Sequence, residues 1–152
     1  MAQPRTPHDV FHQLVNGVAR LVAGDTDQID RLAALYADDT HVEHPMSPLA
    51  DRPLRTREEV RRHFAQMTGG HPALRGYHAG DIVIHDTADP EVIVAEFAYQ
   101  GDGDQGPFRV PCVFVLRVRD GEIVTSRDYV DHLAIARITD RLDTLIRPPA
   151  AA

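Results

Sequence analysis

The stretch that most constrains the fold spans residues 110–131, in which two apolar segments flank the dipeptide Asp120-Gly121. Asp-Gly supplies the positive φ angles of a tight hairpin turn, and the Val, Ile and Phe residues on both sides favour extended backbone. The sequence therefore predicts a long β-hairpin. Its second strand ends in ionisable residues, Arg127, Asp128, Tyr129 and Asp131. A carboxylate half-buried there is a candidate acid or base, because an apolar environment raises its pKa. The alternative is a solvated strand end with surface ion pairs.

Apolar periodicity over the rest of the chain predicts helices first and a sheet afterwards. Helical spacing covers residues 8–23, 27–37 and 133–145, and a capping box opens a further helix that runs from Thr56 to the stop at Gly69-Gly70. Residues 41–45 are extended and residues 46–53 form a Pro-rich loop. Strands are predicted at 73–86, 91–100, 107–119 and 122–131, and their short links favour an antiparallel meander. The pattern predicts one α+β domain over residues 8–146, with disordered ends at 1–7 and 147–152, in which helices cover one sheet face and enclose a pocket.

Composition narrows the possible functions. A length of 152 residues suits a single domain, and a net charge of -7 without a basic cluster argues against nucleic-acid or anionic-membrane partners. All 16 basic residues are arginine, which excludes lysine Schiff-base chemistry, and neither Ser47 nor Ser126 lies in a nucleophile elbow. The lone Cys112 is interpreted as a small core residue in a reducing cytoplasm, and neither a membrane span nor a signal peptide is evident.

Three short sequence segments, residues 35–45, 57–64 and 119–131, resemble the nuclear transport factor 2-like superfamily, specifically its SnoaL-like and ketosteroid isomerase-like members. The resemblance covers roughly residues 8 to 140. It implies a cone-shaped, cystatin-like fold: a curved antiparallel sheet covered by N-terminal helices, with a pocket for a hydrophobic small molecule. It also implies a homodimer formed through the exposed sheet face. SnoaL-like polyketide cyclases use acid/base residues without metal or organic cofactor, so no cofactor is expected.

The resemblance implies a functional role only for residues that match a family motif, so each position is compared separately. In ketosteroid isomerases a Val-Glu-Asp-Pro motif contains the aspartate that transfers the proton, and the matching position here is His44. That family's late-strand acid falls near Val113, and the first helix has no tyrosine, which disfavours a steroid isomerase. Limonene epoxide hydrolase-like members match at Asp128, but their partner positions hold Phe97 and Tyr99. An epoxide hydrolase would therefore need an altered triad.

Strand alternation gives a test that is independent of the family. If His44 faces the pocket then Val42 does too, while His41 and Glu43 face away, so the two histidines cannot chelate one metal ion. Ser126 and Asp128 share a face in the same manner, with Asp131 on the other. The hypothesis is that His44 is a general base and that Asp128 orients or charges its imidazole. The alternative is a hydrogen-bonded core histidine, with Asp128 paired to an arginine.

The remaining candidates are substrate-contacting residues, namely Tyr99, Phe97, Val113, Ser126, Phe11 and Val42. The leading expectation is cofactor-independent cyclisation or isomerisation of a hydrophobic carbonyl compound. A non-catalytic ligand-binding domain of the same fold is the main alternative, and a protein-interaction module is the third.

Overall fold

The computed structural model describes residues 3–67 and 73–147, which form five helices and one six-stranded sheet. In chain order the elements are α1 (Pro7–Val22), α2 (Gln28–Ala33), β1 (Tyr36–Glu43), β2 (Leu54–Thr56), α3 (Arg57–Gln66), β3 (Arg75–Asp86), β4 (Val92–Gly103), β5 (Gly106–Arg119), β6 (Glu122–Val130), α4 (His132–Ile138) and α5 (Leu142–Ile146). The predicted α+β class, with helices on a curved sheet, is confirmed, and all strand pairs but one are antiparallel as predicted.

The strand order across the sheet is β2-β1-β6-β5-β4-β3. Strands β3 to β6 form the predicted antiparallel meander. The predicted turn at Asp120-Gly121 is also confirmed, since the two residues have φ of 51° and 78° and Arg119 pairs with Glu122. Beyond the meander, β1 pairs in parallel with β6, and β2 adds an antiparallel edge strand. The sequence predicted neither pairing.

The core lies between one face of the sheet and the helices. Helix α1 begins with a capping box between Thr6 and Asp9, has Pro7 in its first turn, and buries a single stripe against β3, β4 and β5. Helix α3 is capped by Thr56, whose hydroxyl accepts from the Glu59 N–H at 3.1 Å, and it packs on β1 and β2. These two helices therefore cover opposite halves of one sheet face.

Several predicted boundaries were wrong, each for a local reason. Helix α2 ends at Ala33 and Tyr36 begins β1, because the Leu35 carbonyl accepts from the Ile123 N–H of β6 at 2.8 Å and draws the chain into the sheet. The predicted C-terminal helix is two short helices, separated near Asp140, whose φ of 54° is not helical.

The ends of the chain also differ from the prediction. Thr6 and Pro7, expected in a disordered segment, cap and begin α1. The predicted stop at Gly69-Gly70 and most of the predicted tail, residues 148–152, lie outside the described residues. Within residues 3–67 and 73–147, none of the helices has the length and apolar character needed to cross a membrane.

Candidate active site

Two concavities lie on opposite faces of the sheet. An outer groove of about 840 Å³ lies against the sheet face that α1 and α3 leave uncovered, and its lining includes α4 and α5 residues such as Leu133 and Ile146. An inner cavity of about 230 Å³ lies between the sheet and helices α1, α3 and α4. Its walls are Leu14, Val18, Tyr36, Val42, His44, Leu54, Val60, His63, Phe64, Met67, Tyr77, Tyr99, Phe114, Asp128, Val130, His132 and Ile135. Apart from Cys112, the ionisable groups with strongly shifted pKa values line the inner cavity, which makes it the candidate active site.

The parallel pairing of β1 with β6 places His44 beside Asp128. Val42 pairs with Ser126 and Glu43 with Arg127, so the residue that follows β1 lies opposite Asp128 on the same face. The His44 Nε2 atom is 3.8 Å from Asp128 Oδ2. This separation is too long for a direct hydrogen bond and short enough for a small ring rotation to form one.

Asp128 is a buried carboxyl on the cavity wall, with 11% of its side chain accessible. The Ser126 hydroxyl donates to its Oδ1, which leaves Oδ2 facing His44. No arginine pairs with Asp128 in the part of the chain that the structure describes. Burial therefore dominates and raises the pKa of Asp128 to about 7, although the Ser126 hydrogen bond lowers it.

The pKa of His44 is shifted in the opposite direction. Burial, together with the neighbouring His63, lowers the pKa of His44 to about 4, although Asp51 acts in the opposite direction. The His44 and His63 rings stack at 5.2 Å with 25° between their planes. An ion pair with Asp128 would raise the pKa of the histidine and lower that of the acid. The shifts have the reverse signs, so at neutral pH His44 is neutral and Asp128 populates both its protonated and its ionised form.

Three phenols complete the polar part of the cavity. Tyr36 and Tyr99 are almost fully buried, Tyr77 stacks on Tyr99 with 4.9 Å between ring centroids, and burial raises the pKa of all three. None of the three hydroxyl groups forms a hydrogen bond to any other described residue. Each hydroxyl thus stays protonated and keeps its donor free for a ligand.

The structure brings together only some of the predicted site residues. His44, Asp128, Val42 and Tyr99 line the inner cavity, and Ser126 lies behind Asp128 as its hydrogen-bond donor. His41 and Glu43 face away and contact each other at 2.8 Å.

The other predicted contacts lie elsewhere. Val113 lines the outer groove, because the buried positions of β5 are the even-numbered ones. Phe97 and Phe11 pack edge-to-face at 5.3 Å in the core and do not line the inner cavity. Asp131 caps α4 by accepting from the Ala134 N–H at 2.9 Å. Phe97 also lines the outer groove, whereas Phe11 is a packing residue.

Sequence reasoning missed Tyr36, Tyr77, His63 and His132, which all line the cavity. His63 could have been found, since Val60, His63, Phe64 and Met67 share the inner face of α3 at helical spacing. Tyr36 was predicted in a helix. His132 could also have been found, since it begins α4 and shares a face with Ile135 at helical spacing.

Residues 3–67 and 73–147 contain neither an evident metal site nor an evident nucleophilic thiol. No group of three or more His, Cys, Asp or Glu side chains there is arranged to hold a metal ion. Cys112 is buried, and burial raises the pKa of its thiol to about 12, so it is not a thiolate nucleophile at neutral pH.

Fold and cavity together define a class of protein: a cone-like α+β domain that holds a small apolar pocket with acid/base groups between sheet and helices. The SnoaL-like domain family matches residues 16–126, and the chain belongs to this family. The resemblance stated from the sequence is thereby confirmed. A comparison with curated proteins finds no significant match.

Solved structures support the same fold. A protein from Catenulispora acidiphila with a ketosteroid isomerase-like fold, crystallised in complex with trimethylamine, is 18% identical with a TM-score of 0.63, covering 90% of this chain and 95% of that one. A phenazine biosynthesis-related protein from Pseudomonas aeruginosa is 13% identical with a TM-score of 0.59, covering 100% and 96%. A pinacolase from Penicillium brevicompactum is also 13% identical with a TM-score of 0.59, covering 91% and 99%. At these identities the similarity shows the fold alone.

The opposite pKa shifts predict a specific dependence of stability on pH. The pKa of Asp128 is about 7 in the folded state against 3.8 ordinarily, so the free energy of unfolding falls as pH rises between these values. The pKa of His44 is about 4 against 6.5, so its contribution rises with pH over that window and partly cancels the first. Asp128→Asn removes the contribution of Asp128 to the free energy of unfolding, which falls as pH rises, and keeps the contribution of His44. Its stability relative to wild type should therefore increase between about pH 4 and pH 7, by on the order of 1 kcal/mol per pH unit.

Urea unfolding at several pH values in this range measures the difference. Asp39→Asn, which changes an exposed aspartate of β1, is the matched control and should run parallel to wild type. A stability difference between Asp128→Asn and wild type that stays constant with pH contradicts the raised pKa of Asp128.

Proposed function

We propose that this chain is a SnoaL-like enzyme that performs general acid/base chemistry, isomerisation or cyclisation, on a hydrophobic carbonyl compound, without a cofactor. The observation that carries the proposal is the Asp128 carboxyl, buried on the wall of an apolar cavity with its pKa raised to about 7. A group with a pKa close to the operating pH is the most effective proton carrier, because both of its forms are populated.

The proposed chemistry starts at a C–H bond next to the substrate carbonyl. The Asp128 carboxylate takes the proton, and the electron pair of the broken bond moves onto the carbonyl oxygen to form an enolate. The Tyr36 and Tyr99 hydroxyls, protonated and free to donate, are suited to stabilise that oxygen. Where a C=C bond is conjugated with the enolate, Asp128 returns the proton to its far carbon and an isomer forms. Where the enolate attacks a second carbonyl, a C–C bond closes the ring and the new alkoxide takes the proton back from Asp128.

These roles reverse the assignment expected from the sequence. With a pKa near 4, His44 is neutral at pH 7 but too weak a base to remove a carbon-bound proton well. Its Nε2 atom lies 3.8 Å from Asp128 Oδ2, from where it can hydrogen-bond to the carboxylate and hold it in place. We therefore assign proton transfer to Asp128 and a positioning role to His44.

Asp128→Asn should reduce proton abstraction by roughly 100-fold or more, because the amide cannot accept the proton. Enzyme-dependent exchange of the α-protons of 2-tetralone in D₂O, followed by NMR, measures this step directly. Asp39→Asn is the control and should exchange at the wild-type rate. Equal exchange by Asp128→Asn and wild type, or no wild-type exchange above the buffer rate across a set of small cyclic ketones, contradicts the catalytic role and leaves ligand binding as the function.

Ser126→Ala should move the pH dependence of the same reaction. The Ser126 hydroxyl stabilises the carboxylate form of Asp128, so its removal raises the pKa of Asp128 above about 7. The rising limb of kcat/KM against pH should shift to higher pH, with activity recovering at the alkaline end. An unchanged profile means that Asp128 does not set this limb.

The chain is further proposed to form a homodimer through the outer sheet face. Apolar residues there, among them Met46 at 65% and Val83 at 51% exposure, line the outer groove together with Arg109 and Glu96. A mixed-charge apolar surface can be self-complementary about a two-fold axis.

Light scattering after gel filtration tests the dimer. Wild type should have twice the mass of one chain, and Val83→Asp should shift it toward monomer, because the substitution buries two uncompensated charges at the interface. Ala34→Asp places the same charge at the exposed end of α2, away from the outer groove, and should remain dimeric. A monomeric wild type refutes the dimer without affecting the cavity chemistry.

A further inference from the structure

Among the described residues, Asp128 has no positively charged partner in the inner cavity. None of the lining residues in the part of the chain that the structure describes is an arginine, and the sequence contains no lysine. Burial lowers the pKa values of His44 and His63, so both rings are neutral at pH 7. Whenever Asp128 ionises, its carboxylate is therefore a buried anion that receives no counter-charge from the described residues. Such an anion is costly, and carboxylates are almost never buried without a partner.

Aromatic rings form much of the remaining wall. Four strands and one helix contribute a ring each to the lining of the cavity, namely Tyr36, Phe64, Tyr77, Tyr99 and Phe114. Burial raises the pKa values of Tyr36 and Tyr99, and the Asp128 carboxylate, which is close to both, raises them further. The face of an aromatic ring attracts a cation within about 6 Å of its centre, most strongly where water is excluded. An unpaired carboxylate among aromatic rings is therefore an environment that favours a positive charge.

The size and the hydration of a cation decide which kind fits. No group of three or more His, Cys, Asp or Glu side chains among residues 3–67 and 73–147 is arranged to hold a metal ion. A sphere of about 230 Å³ has a radius of about 4 Å, so a cation inside a cavity of that volume lies close to the rings and the carboxylate alike. A methylated ammonium ion spreads its charge over its methyl groups. It therefore loses less hydration free energy in an apolar cavity than a primary ammonium or an inorganic cation does.

We propose that the inner cavity binds a compact methylated ammonium ion, whose charge is balanced by the Asp128 carboxylate and whose methyl groups pack against the tyrosine and phenylalanine rings. This inference goes beyond the proposed function, because it requires the negative charge of Asp128 but no proton abstraction. The ammonium ion and a carbonyl substrate would occupy the same space, so they should compete.

Binding of the ammonium ion should depend on pH through Asp128. The other titratable groups that line the cavity or lie close to this carboxyl have pKa values that keep them neutral at pH 7, namely Tyr36, His44, His63, Tyr77, Tyr99, Cys112 and His132. The carboxylates of Asp51 and Asp131 lie near the histidines and add to the attraction of a cation. With its pKa at about 7, Asp128 is ionised in about one molecule in ten at pH 6 and in about nine in ten at pH 8. The ammonium ion should therefore bind roughly tenfold tighter at pH 8 than at pH 6.

Choline and 3,3-dimethylbutan-1-ol test the proposal on the intact protein. The two molecules have the same shape, and they differ in that a neutral carbon replaces the charged nitrogen. ¹H–¹⁵N NMR titrations at pH 6, 7 and 8 measure both dissociation constants, and nuclear Overhauser contacts from the methyl protons to the aromatic rings locate the ligand. Choline should bind roughly tenfold tighter than the neutral isostere at pH 8. This preference should decline toward pH 6.

Variants separate the charge of the carboxylate from the contribution of the rings. In Asp128→Asn, which keeps the shape of the side chain, the preference for choline should fall to about one at every pH. Asp39→Asn removes an exposed carboxylate of β1 and should keep the preference. Phe64→Leu removes a ring from the α3 wall and should weaken choline binding more than binding of the isostere. If a variant does not fold, the comparison of the two probes on the wild-type protein still decides the question.

Equal affinity of choline and its isostere at pH 8, a choline preference that survives in Asp128→Asn, or methyl contacts only outside the cavity overturns the inference. These outcomes are separable from failure of the proposed function. Selective choline binding without exchange of 2-tetralone protons retains the ammonium site and refutes the catalysis. Exchange without choline selectivity refutes the ammonium site alone. If both hold, choline should inhibit the exchange competitively.

Discussion

The parallel pairing of β1 with β6 is the constraint on which the site depends. It sets the end of β1 opposite the buried half of β6, so that His44 and Asp128 meet on one face. Two contacts hold this pairing: the Thr40 hydroxyl donates to the Ile123 carbonyl at 2.9 Å, and Arg57 joins the Tyr36 carbonyl to the Glu122 carboxylate at 2.8 and 2.9 Å. Because alternation is strict along a strand, a slip of one residue would turn His44 out of the cavity and bring Glu43 in. The chemistry of the cavity is thus set by backbone register.

Burial without a nearby cation gives the cavity its electrostatic character. Had an arginine lined the wall, Asp128 would be a permanently ionised structural group. Instead desolvation favours the neutral forms of Asp128, His44, His63 and the three phenols alike. An enolate formed there meets donors rather than a competing negative charge once Asp128 has taken the proton. The SnoaL-like fold supplies the cavity, but these particular side chains determine whether proton transfer in it is feasible.

The sequence predicted the elements whose signals are local. The Asp120-Gly121 turn, the meander and the common face of Ser126 and Asp128 follow from turn chemistry and from the two-residue period of a strand. The pairing of β1 with β6 joins segments about eighty residues apart and leaves no local signature. Val113 was misplaced because its proposed role came from a position in another family, although strand parity within β5 would have placed it on the outer face. The relative basicity of His44 and Asp128 depends on their burial, which no single-sequence pattern reports.

His132 could have been placed from the sequence. It begins α4 and shares one helical face with Ile135 and Ala136, of which Ile135 also lines the inner cavity. The Asp131 carboxylate caps α4 by accepting from the Ala134 N–H at 2.9 Å, so the chain passes from the last strand directly into a helix that closes one side of the cavity.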